Sequence, residues 1–267
     1  MIVVKIGGDL LHGGLPEGIV EELKTLSRED KVVLVHGGGD IVTDIATRLG
    51  HPPRFVVSPK GFRSRYTDRE TAGIFTMVMA GKINKEIVSA LQGAGVQAVG
   101  LSGLDGGLVR AKRKKKIIAV DERGRKTLME GGYTGRIEGV NGEFLGLLLE
   151  NGYMPVVSAL AMGEEAEPLN VDGDRMAASI ASALKADRLV LLTDVDGLQL
   201  GGKTVKRLTP FEAKEIMDQI GPGMLTKVYA ATEAIEGGAG EVLIASGFKE
   251  GAIRSALKHE NGTVIGK

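Results

Sequence analysis

The hydrophobic positions of this chain follow two alternating spacings. Short unbroken apolar runs predict buried β-strands, whereas apolar residues spaced three and four apart predict amphipathic helices. The predicted strands are IVVKI (2–6), VVLVH (32–36), VQAVGL (96–101), MPVVSAL (154–160), RLVLLTD (188–194), EVLIAS (241–246) and TVIG (263–266). Helices are predicted at 16–26, 40–50, 68–92, 143–152, 173–186 and 210–220, and after GPGMLTK (221–227).

This alternation of strands and helices predicts an α/β fold with a mostly parallel central sheet covered by helices on both faces. One basic stretch, RAKRKKKIIAVDERGRKTLM (110–129), departs from the pattern and predicts a β-hairpin that turns at Arg123 and Gly124. We expect two lobes, residues 1–165 and 166–267, divided near the acidic GEEAEP segment (163–168).

Composition excludes several classes of protein. The chain of 267 residues has 34 basic and 34 acidic residues, so no overall charge directs it to nucleic acid or to a membrane surface. It has no cysteine, which excludes disulfides and thiolate metal sites, and its four histidines are scattered. The sequence shows neither a signal-peptide pattern nor an apolar run of membrane-spanning length. We therefore expect a cytoplasmic protein without a protein-bound metal.

Glycine clusters follow several of the predicted strands. KIGG (5–8) places a lysine on the first strand and two glycines after it, and HGGGD (36–40) opens a helix after the second strand. In parallel α/β sheets, ligands bind beyond the carboxyl ends of strands, and a helix N-terminus favours anions. Turn formation alone would explain any single cluster. Neither segment is a GxxxxGK[ST] loop and no GxGxxG follows a strand, so the two commonest nucleotide motifs are absent.

The order of the segments is more informative than any one of them. Over nearly the whole chain the sequence contains, in order, KIGG, VVLVHGGGD, GFRSRYTDRET, AGKINKEIV, LLLENGYMPVVSAL, LNVDGDRMAASIASAL, LVLLTDVDGL and GMLTKVYAATEAI. This set resembles the amino acid kinase family, and within it the acetylglutamate kinase group. The resemblance implies a three-layer αβα sandwich that transfers the γ-phosphoryl group of ATP to a carboxylate. It also implies that the N-terminal lobe binds the acceptor and the C-terminal lobe binds ATP.

The resemblance implies catalytic roles for Lys5, Asp174 and Lys227. In phosphoryl transfer a protein mainly positions two anions and neutralises the charge that builds on the transferred group. Lys5 and Lys227 would supply positive charge, and Mg²⁺ on the ATP oxygens would supply more. Asp174 would lie between the lysines and orient both ammonium groups, although an aspartate at this place also suits the N-cap of the helix that follows.

Binding roles follow from the same resemblance. The N–H groups of Gly38 and Gly39 would bind the reacting carboxylate, and Arg65 would pair with the α-carboxylate, a task that suits a bidentate guanidinium. Asn170 would contact the substituted α-nitrogen. The residues implied for ATP binding are Gly7, Gly8, Thr193, Asp194 and Gly197.

Three features depart from the acetylglutamate kinase pattern. GFRSRYTDRET (61–71) is two residues longer than the usual arginine segment, and NVDGD (170–174) has Asp172 in place of an asparagine. A basic run, RAKRKKK (110–116), precedes the hairpin, although such a run can be a solvated strand. These departures resemble the subgroup that phosphorylates α-aminoadipate or glutamate attached, in lysine or arginine biosynthesis, to a small acidic carrier protein of the LysW type. The cations expected to dock the carrier are Arg63, Lys112, Arg113, Lys114, Lys115 and Lys116.

Other functions remain open at this stage. The main alternative acceptor is free N-acetyl-L-glutamate. Aspartate, uridylate, carbamate and isopentenyl phosphate kinases share the fold, but an aspartokinase usually adds regulatory domains. An isopentenyl phosphate kinase needs a histidine for its phosphate acceptor, and the one candidate in a glycine-rich context, His36, is shared with the carboxylate kinases. A non-catalytic nucleotide-binding regulatory subunit would lose its cations, yet Lys5, Asp174 and Lys227 are all present. The family also implies a homodimer formed through the N-terminal lobe.

Overall fold

Residues 1–59 and 61–266 are described by the structure, which is a computed structural model of the chain. Lys60 and Lys267, the last residue of the expected second lobe, lie outside the described residues. Within the described residues, no helix is both long and apolar enough to cross a membrane.

The described elements alternate strand and helix for much of the chain. The strands are β1 Ile2–Ile6, β2 Val32–His36, β3 Arg54–Val57, β4 Arg63–Tyr66, β5 Ala98–Gly103, β6 Val109–Arg113, β7 Lys116–Val120, β8 Lys126–Glu130, β9 Gly135–Val140, β10 Met154–Met162, β11 Pro168–Asn170, β12 Arg188–Thr193, β13 Gln199–Leu200, β14 Lys203–Thr204, β15 Arg207–Leu208, β16 Glu241–Ser246 and β17 Thr263–Gly266. The α-helices are α1 Glu17–Glu29, α2 Gly39–Arg48, α3 Arg69–Thr76, α4 Asn84–Gly93, α5 Gly142–Glu150, α6 Gly173–Leu184, α7 Pro210–Glu215, α8 Pro222–Glu236 and α9 Ala252–Leu257. Short 3₁₀ helices span Gly8–Leu11, Asp105–Gly107 and Met217–Gln219, and a π-helical segment spans Met77–Ile83.

One large sheet runs through both halves of the chain. Its main path has the order β15-β17-β16-β12-β1-β2-β10-β6-β9, and β5 and β11 also pair with β10. The central pairs β16–β12, β12–β1, β1–β2 and β2–β10 are all parallel. Strands from the two halves therefore lie side by side at the centre, where β1 pairs with β12.

Helices cover the sheet in two groups. Helices α1, α4 and α9 contact one another or neighbouring strands, and α5, α6 and α8 form a second group around α6. The central strands β1, β2 and β12 are almost entirely buried, because apolar side chains on both of their faces meet helices. The predicted α/β fold with a mostly parallel sheet is confirmed.

A second, smaller sheet lies beside the large one and has the order β4-β3-β7-β8. Its pairs are antiparallel, and several of its large apolar residues are exposed, including Phe55, Ile118 and Leu128. The predicted basic hairpin is present as β7 and β8, and its turn includes Gly124 with φ of 75°. The basic run is divided, however, because β6 joins the large sheet and β7 joins the small one.

The helix predicted over 68–92 is present with an internal change of geometry. Asp68 caps α3 by accepting a hydrogen bond from the Thr71 N–H at 2.8 Å. The segment Met77–Ile83 is π-helical, and α4 continues from Asn84. Hydrophobic spacing predicts such a helix but not its π-helical segment, since apolar positions alone do not fix the hydrogen-bond ladder.

Candidate active site

The strand register places the glycine turns together at one edge of the sheet. In the parallel pairs, Ile6 at the end of β1 lies opposite both His36 of β2 and Leu192 of β12. The turns that follow these strands therefore begin side by side. A Cβ atom added at Gly8 would lie 3.0 Å from the Gly38 Cα, so the two turns contact each other through bare backbone.

The second turn has a conformation that requires glycine. Gly38 has φ of 141° and acts as the N-cap of α2. A Cβ at this position would lie 2.3 Å from the Ile83 Cδ1. Among the described residues, the N–H groups of Gly38 and Gly39 have no hydrogen-bond acceptor. Together with the N-terminal end of the α2 dipole, these N–H groups suit an anion.

Asp174 lies between two lysines that are far apart in the sequence. The Lys5 Nζ lies 2.7 Å from the Asp174 Oδ1, outside the angular range of a hydrogen bond, and the Lys227 Nζ donates to Oδ2 at 3.0 Å. Lys5 and Asp174 are only 7% and 5% exposed. Strand β1, helix α6 and helix α8 thus each contribute one charge to a buried triad, defined here as Lys5, Asp174 and Lys227.

Asp174 and Lys5 are both held in their ionised forms. Burial alone would raise the pKa of Asp174, but the two lysine ammonium groups outweigh it and lower that pKa to about 2. Burial would lower the pKa of Lys5, yet the attraction of Asp174 leaves it raised. With two lysines and one carboxylate, the triad has an excess positive charge that can act on a nearby anion.

Asp172, rather than Asp174, caps α6. Its Oδ1 accepts a hydrogen bond from the Arg175 N–H at 2.9 Å, so Asp174 is in the first helical turn and its side chain is available to both lysines. Burial and the neighbouring Asp174 charge raise the pKa of Asp172.

A cavity of about 530 Å³ lies beside the triad. The candidate acceptor residues Gly38, Gly39, Arg65 and Asn170 all line it. Its walls come from both sheets and from the helices that carry Asp174 and Lys227. Residues from both sheets that were far apart in the sequence therefore meet in one place, as the binding roles required.

Arg65 has an unsatisfied donor in this cavity wall. Its Nη2 donates to the Gly39 carbonyl oxygen at 2.7 Å and to the Thr43 Oγ1 at 2.8 Å. Its Nη1 is buried and has no partner among the described residues. The Phe55 ring lies 5.0 Å from the guanidinium carbon and supports it from one side. A buried unpaired guanidinium nitrogen is costly, and a carboxylate would satisfy it.

Asn170, the last residue of β11, is held by residues from two other segments. Its backbone N–H donates to the Tyr133 carbonyl oxygen at 2.9 Å, and its Nδ2 donates to the Thr67 Oγ1 at 3.0 Å. The side-chain oxygen faces no hydrogen-bond donor among the described residues. It can accept a hydrogen bond from an amide N–H in the cavity.

The candidate ATP residues lie at the same edge of the sheet but differ in what they can donate. The Gly7 N–H donates to the Leu192 carbonyl oxygen at 3.2 Å, so this group already has a partner, whereas the Gly8 N–H has none among the described residues. The Thr193 Oγ1 donates to the Asp194 Oδ1 at 2.9 Å. Gly197 has φ of 127°, and a Cβ there would lie 2.8 Å from the Thr263 Oγ1.

The cations of the basic run lie in different surroundings. Lys114 lines the cavity, and burial, Arg175 and Arg136 lower its pKa. Lys112 and Lys116 are exposed. Two further members are engaged within the protein: the Arg113 Nε donates to the Gly132 carbonyl oxygen at 2.7 Å, and the Lys115 Nζ donates to the Glu165 Oε1 at 2.7 Å. Arg63 lines the cavity and stacks on Phe55 at 3.9 Å.

The sequence pattern of the amino acid kinase family matches residues 1–246. The chain belongs to the amino acid kinase family. A relative in Cenarchaeum symbiosum is 56% identical over 266 residues, covering 100% of this chain and 99% of that protein. A second relative, named LysW-aminoadipate/LysW-glutamate kinase in Saccharolobus solfataricus, is 49% identical over 266 residues and covers 99% of each chain.

Solved structures of amino acid kinase fold proteins agree with the architecture. The crystal structure of N-acetylglutamate synthase from Neisseria gonorrhoeae, complexed with coenzyme A and N-acetyl-glutamate, has a TM-score of 0.82 and 27% identity. The match covers 100% of this chain and 59% of that one. The predicted family and the amino acid kinase fold are confirmed, and the predicted enzyme class, a phosphotransferase, agrees with the kinase names of the full-length relatives.

Sequence reasoning missed part of this family site. Arg136 lines the cavity from β9, a strand that the hydrophobic pattern did not predict. Arg175 forms two hydrogen bonds with Glu233, at 2.8 and 2.6 Å, and its guanidinium carbon lies 5.3 Å from the Tyr229 ring centre. This pair ties α6 to α8 directly beside the triad. Its one sequence signal is the position of Arg175 next to Asp174, and that signal does not identify the partner.

Proposed function

We propose that the protein is an ATP-dependent kinase that phosphorylates the side-chain carboxylate of α-aminoadipate or glutamate linked through its α-amino group to an acidic carrier protein of the LysW type. The buried triad beside the cavity is the observation that carries this proposal. The kinase names of relatives that match over the whole chain support the same substrate.

In the proposed reaction, a carboxylate oxygen of the acceptor attacks the γ-phosphorus of ATP. The bond between that phosphorus and the bridging oxygen breaks, and ADP leaves with the bond's electron pair. The acceptor carboxylate is already ionised at neutral pH, so the step needs no general base. The main electrostatic demand is to hold two anions together, and Lys5 and Lys227 supply fixed positive charge at that point.

Asp174 has a positioning role in this proposal. It holds both ammonium groups within 3.0 Å of its oxygens, which fixes their separation before the substrates arrive. Charges that are already in place need no reorganisation as the transferred group becomes more negative. Mg²⁺ would enter on the ATP phosphates, since no metal ligand set from the protein is required at the triad.

The acceptor would extend from the glycine turn into the cavity. Its reacting carboxylate would accept hydrogen bonds from Gly38 and Gly39, and its α-carboxylate would satisfy the unpartnered Arg65 Nη1. The Asn170 side chain would accept from the amide formed at the α-nitrogen. On the other side of the triad, Gly8, Thr193, Asp194 and Gly197 would contact ATP, with Gly7 holding the turn through Leu192.

The divided basic run supports a carrier-linked acceptor. Lys112 and Lys116 present charge on the surface, where they could attract an acidic protein. Lys114 and Arg63 lie in the cavity wall and could contact the chain that links carrier and substrate. Arg113 and Lys115, already bound within the protein, would mainly hold this region in place. We further propose that residues 1–165 bind the acceptor and form a homodimer, while 166–267 bind ATP.

An ATP-consumption assay with three acceptors tests the function. Carrier-linked aminoadipate, carrier-linked glutamate and free N-acetylglutamate are compared at equal concentration. We expect turnover with one or both carrier-linked acceptors and little with the free one. Efficient turnover of free N-acetylglutamate alone would contradict this proposal and support the alternative, acetylglutamate kinase. ATP binding without turnover of any acceptor would favour a regulatory subunit.

A further inference from the structure

A buried histidine lies next to the acceptor turn and has no role in the reaction described above. His36 ends β2 and is 0% exposed, and Asn84, at the start of α4, is also 0% exposed. Polar side chains this deep in a core are hydrogen-bonded, and the arrangement of their bonds is informative.

The bonds of His36 fix which ring nitrogen carries the proton. Its Nδ1 lies 2.9 Å from the Gly37 carbonyl oxygen, which can only accept, so Nδ1 must donate. Its Nε2 lies 3.2 Å from the Asn84 Nδ2, which can only donate, so Nε2 must accept. Burial lowers the pKa of His36 to about 4, with Lys85 and Lys5 also acting against protonation. The neutral Nδ1–H tautomer is therefore the form present at neutral pH.

Asn84 is itself held in a single orientation. Its Nδ2 also donates to the Val156 carbonyl oxygen at 2.9 Å, and its Oδ1 accepts from the Lys85 Nζ at 2.8 Å. Because one side-chain atom of Asn84 meets an acceptor and the other meets a donor, the first must be the amide nitrogen and the second the amide oxygen. The donor that reaches His36 is thus fixed by α4 and by β10, on which Val156 lies.

The Gly37 carbonyl group belongs to the same planar peptide as the Gly38 N–H. Because the peptide is trans, the N–H points away from the carbonyl oxygen, and fixing one group fixes the other. The Gly37 N–H is held separately by the Ile6 carbonyl oxygen at 2.9 Å. Glycine has no Cβ to restrict its backbone, so these two hydrogen bonds set the direction of the peptide.

From this geometry we propose that His36 and Asn84 are positioning residues that aim the Gly38 N–H at the reacting carboxylate of the acceptor. Asn84 orients the His36 ring, the ring holds the Gly37 carbonyl group, and the peptide presents its N–H to the cavity. Neither side chain touches the substrate. The inference rests on the proposed function, because it requires an anionic group beside Gly38.

Two substitutions of His36 separate positioning from packing. His36→Asn places an amide Nδ2 near the position of Nδ1 and keeps the donor to Gly37, whereas His36→Leu keeps comparable bulk and removes it. We expect His36→Leu to lower kcat/KM for the carrier-linked acceptor by about 10- to 100-fold, since a small misplacement of a reacting group has an effect of this size. The KM for ATP should stay near the wild-type value, and His36→Asn should recover most of the loss.

Equal activity of His36→Leu and wild type would overturn the proposal. The proposal would also be overturned if both variants lost activity equally, with a higher KM for ATP and an equal fall in melting temperature. That result would indicate a packing defect. If His36→Leu fails to fold, ¹⁵N NMR of the wild-type imidazole still tests which ring nitrogen carries the proton. The Nδ1–H tautomer is required, and finding Nε2–H would contradict the proposed direction of the hydrogen bonds. Turnover of free N-acetylglutamate alone would overturn the carrier-linked function but leave the tautomer result standing.

Discussion

Two groups of cations in this protein differ in burial and in the arrangement of their residues along the sequence. Lys5 is buried and Lys227 is half-buried; both contact the Asp174 carboxylate and come from elements distant in the sequence. The basic run at 110–116 is contiguous, and most of its lysines are exposed. A composition scan detects the second group and overlooks the first. Yet the buried pair is the one placed to act on the transferred group.

The difference follows from the surrounding medium. Charges at an exposed site are screened by salt over about 10 Å, and each contributes little to affinity. Charges in a water-poor site interact more strongly, and the attraction between Asp174 and Lys5 raises the pKa of Lys5 and lowers that of Asp174. We therefore expect the triad to control the rate of transfer and the basic run to control encounter with the carrier. The following predictions test that division, from the largest effect to the smallest.

Removing either lysine of the triad should have the largest effect. Lys5→Met and Lys227→Met should each lower kcat by about 100- to 1,000-fold, because each charge acts mainly on the transition state. Steady-state kinetics with saturating ATP and acceptor measure this loss, and Lys116→Met is a matched control at an exposed position. A rise in KM with unchanged kcat would show that the lysines bind the ground state instead.

Asp174→Asn should lower both kcat and stability. The variant leaves the buried Lys5 and the half-buried Lys227 without the carboxylate that pairs them, and we expect the free energy of unfolding to fall by about 3 kcal/mol. In wild type the pKa of Asp174 is lowered from 3.8 to about 2, so its stabilisation is complete above pH 3.8 and is lost as the pH falls towards 2. Denaturant unfolding from pH 6 downwards should show this acid-sensitive component in wild type alone. If the free energy of unfolding depended equally on pH in both proteins, this acid-sensitive component would not come from Asp174.

Arg65→Met should affect the acceptor more than ATP. Loss of the guanidinium leaves the α-carboxylate of the acceptor without its buried partner, and we expect the acceptor KM to rise about 30-fold. The ATP KM should change little. Arg65→Lys should recover little, because its single nitrogen cannot occupy both the Nη2 position that bonds Gly39 and Thr43 and the Nη1 position that would bond the carboxylate. Equal changes in both KM values would indicate a collapsed cavity.

The exposed lysines should have the smallest and most salt-sensitive effect. The double variant Lys112→Ala/Lys116→Ala should raise the KM for a carrier-linked acceptor about threefold at low salt. At about 0.5 M salt the difference should vanish because the charges are screened. The free acceptor N-acetylglutamate serves as the control. A similar rise in its KM would contradict the proposed docking role of Lys112 and Lys116.

Much of the sheet was predictable, because its central strands are buried on both faces. The runs at 2–6 and 32–36 were assigned to the residue, as Ile2–Ile6 and Val32–His36. Each of these runs is mostly apolar and is followed at once by glycine, at Gly7 and Gly37, which defines where the strand ends. Strands β3, β4 and β9 were missed since most of their positions are exposed or half-buried and none of them offers an apolar run of more than three residues.

The site was predictable in its residues but not in its contacts. The family resemblance identified Lys5, Asp174 and Lys227, and the structure places both lysine ammonium groups within 3.0 Å of the Asp174 carboxylate. It did not reveal that Asp172 caps α6, that Gly7 donates to Leu192, or that the basic run is divided between two sheets. Those facts depend on register and on packing between distant segments, which spacing along one chain does not encode.

The π-helical segment Met77–Ile83 sets the rotational phase between two halves of one long helix. Each residue of an α-helix advances the side chains by about 100°. A π-helical turn closes its hydrogen bonds at i→i+5, so each of its residues advances the side chains by less than that angle. If the same residues adopted regular α-helical hydrogen bonds, Asn84 would rotate relative to α3 and turn away from His36. A change that makes the helix more regular at constant length would therefore make the acceptor site less accurate.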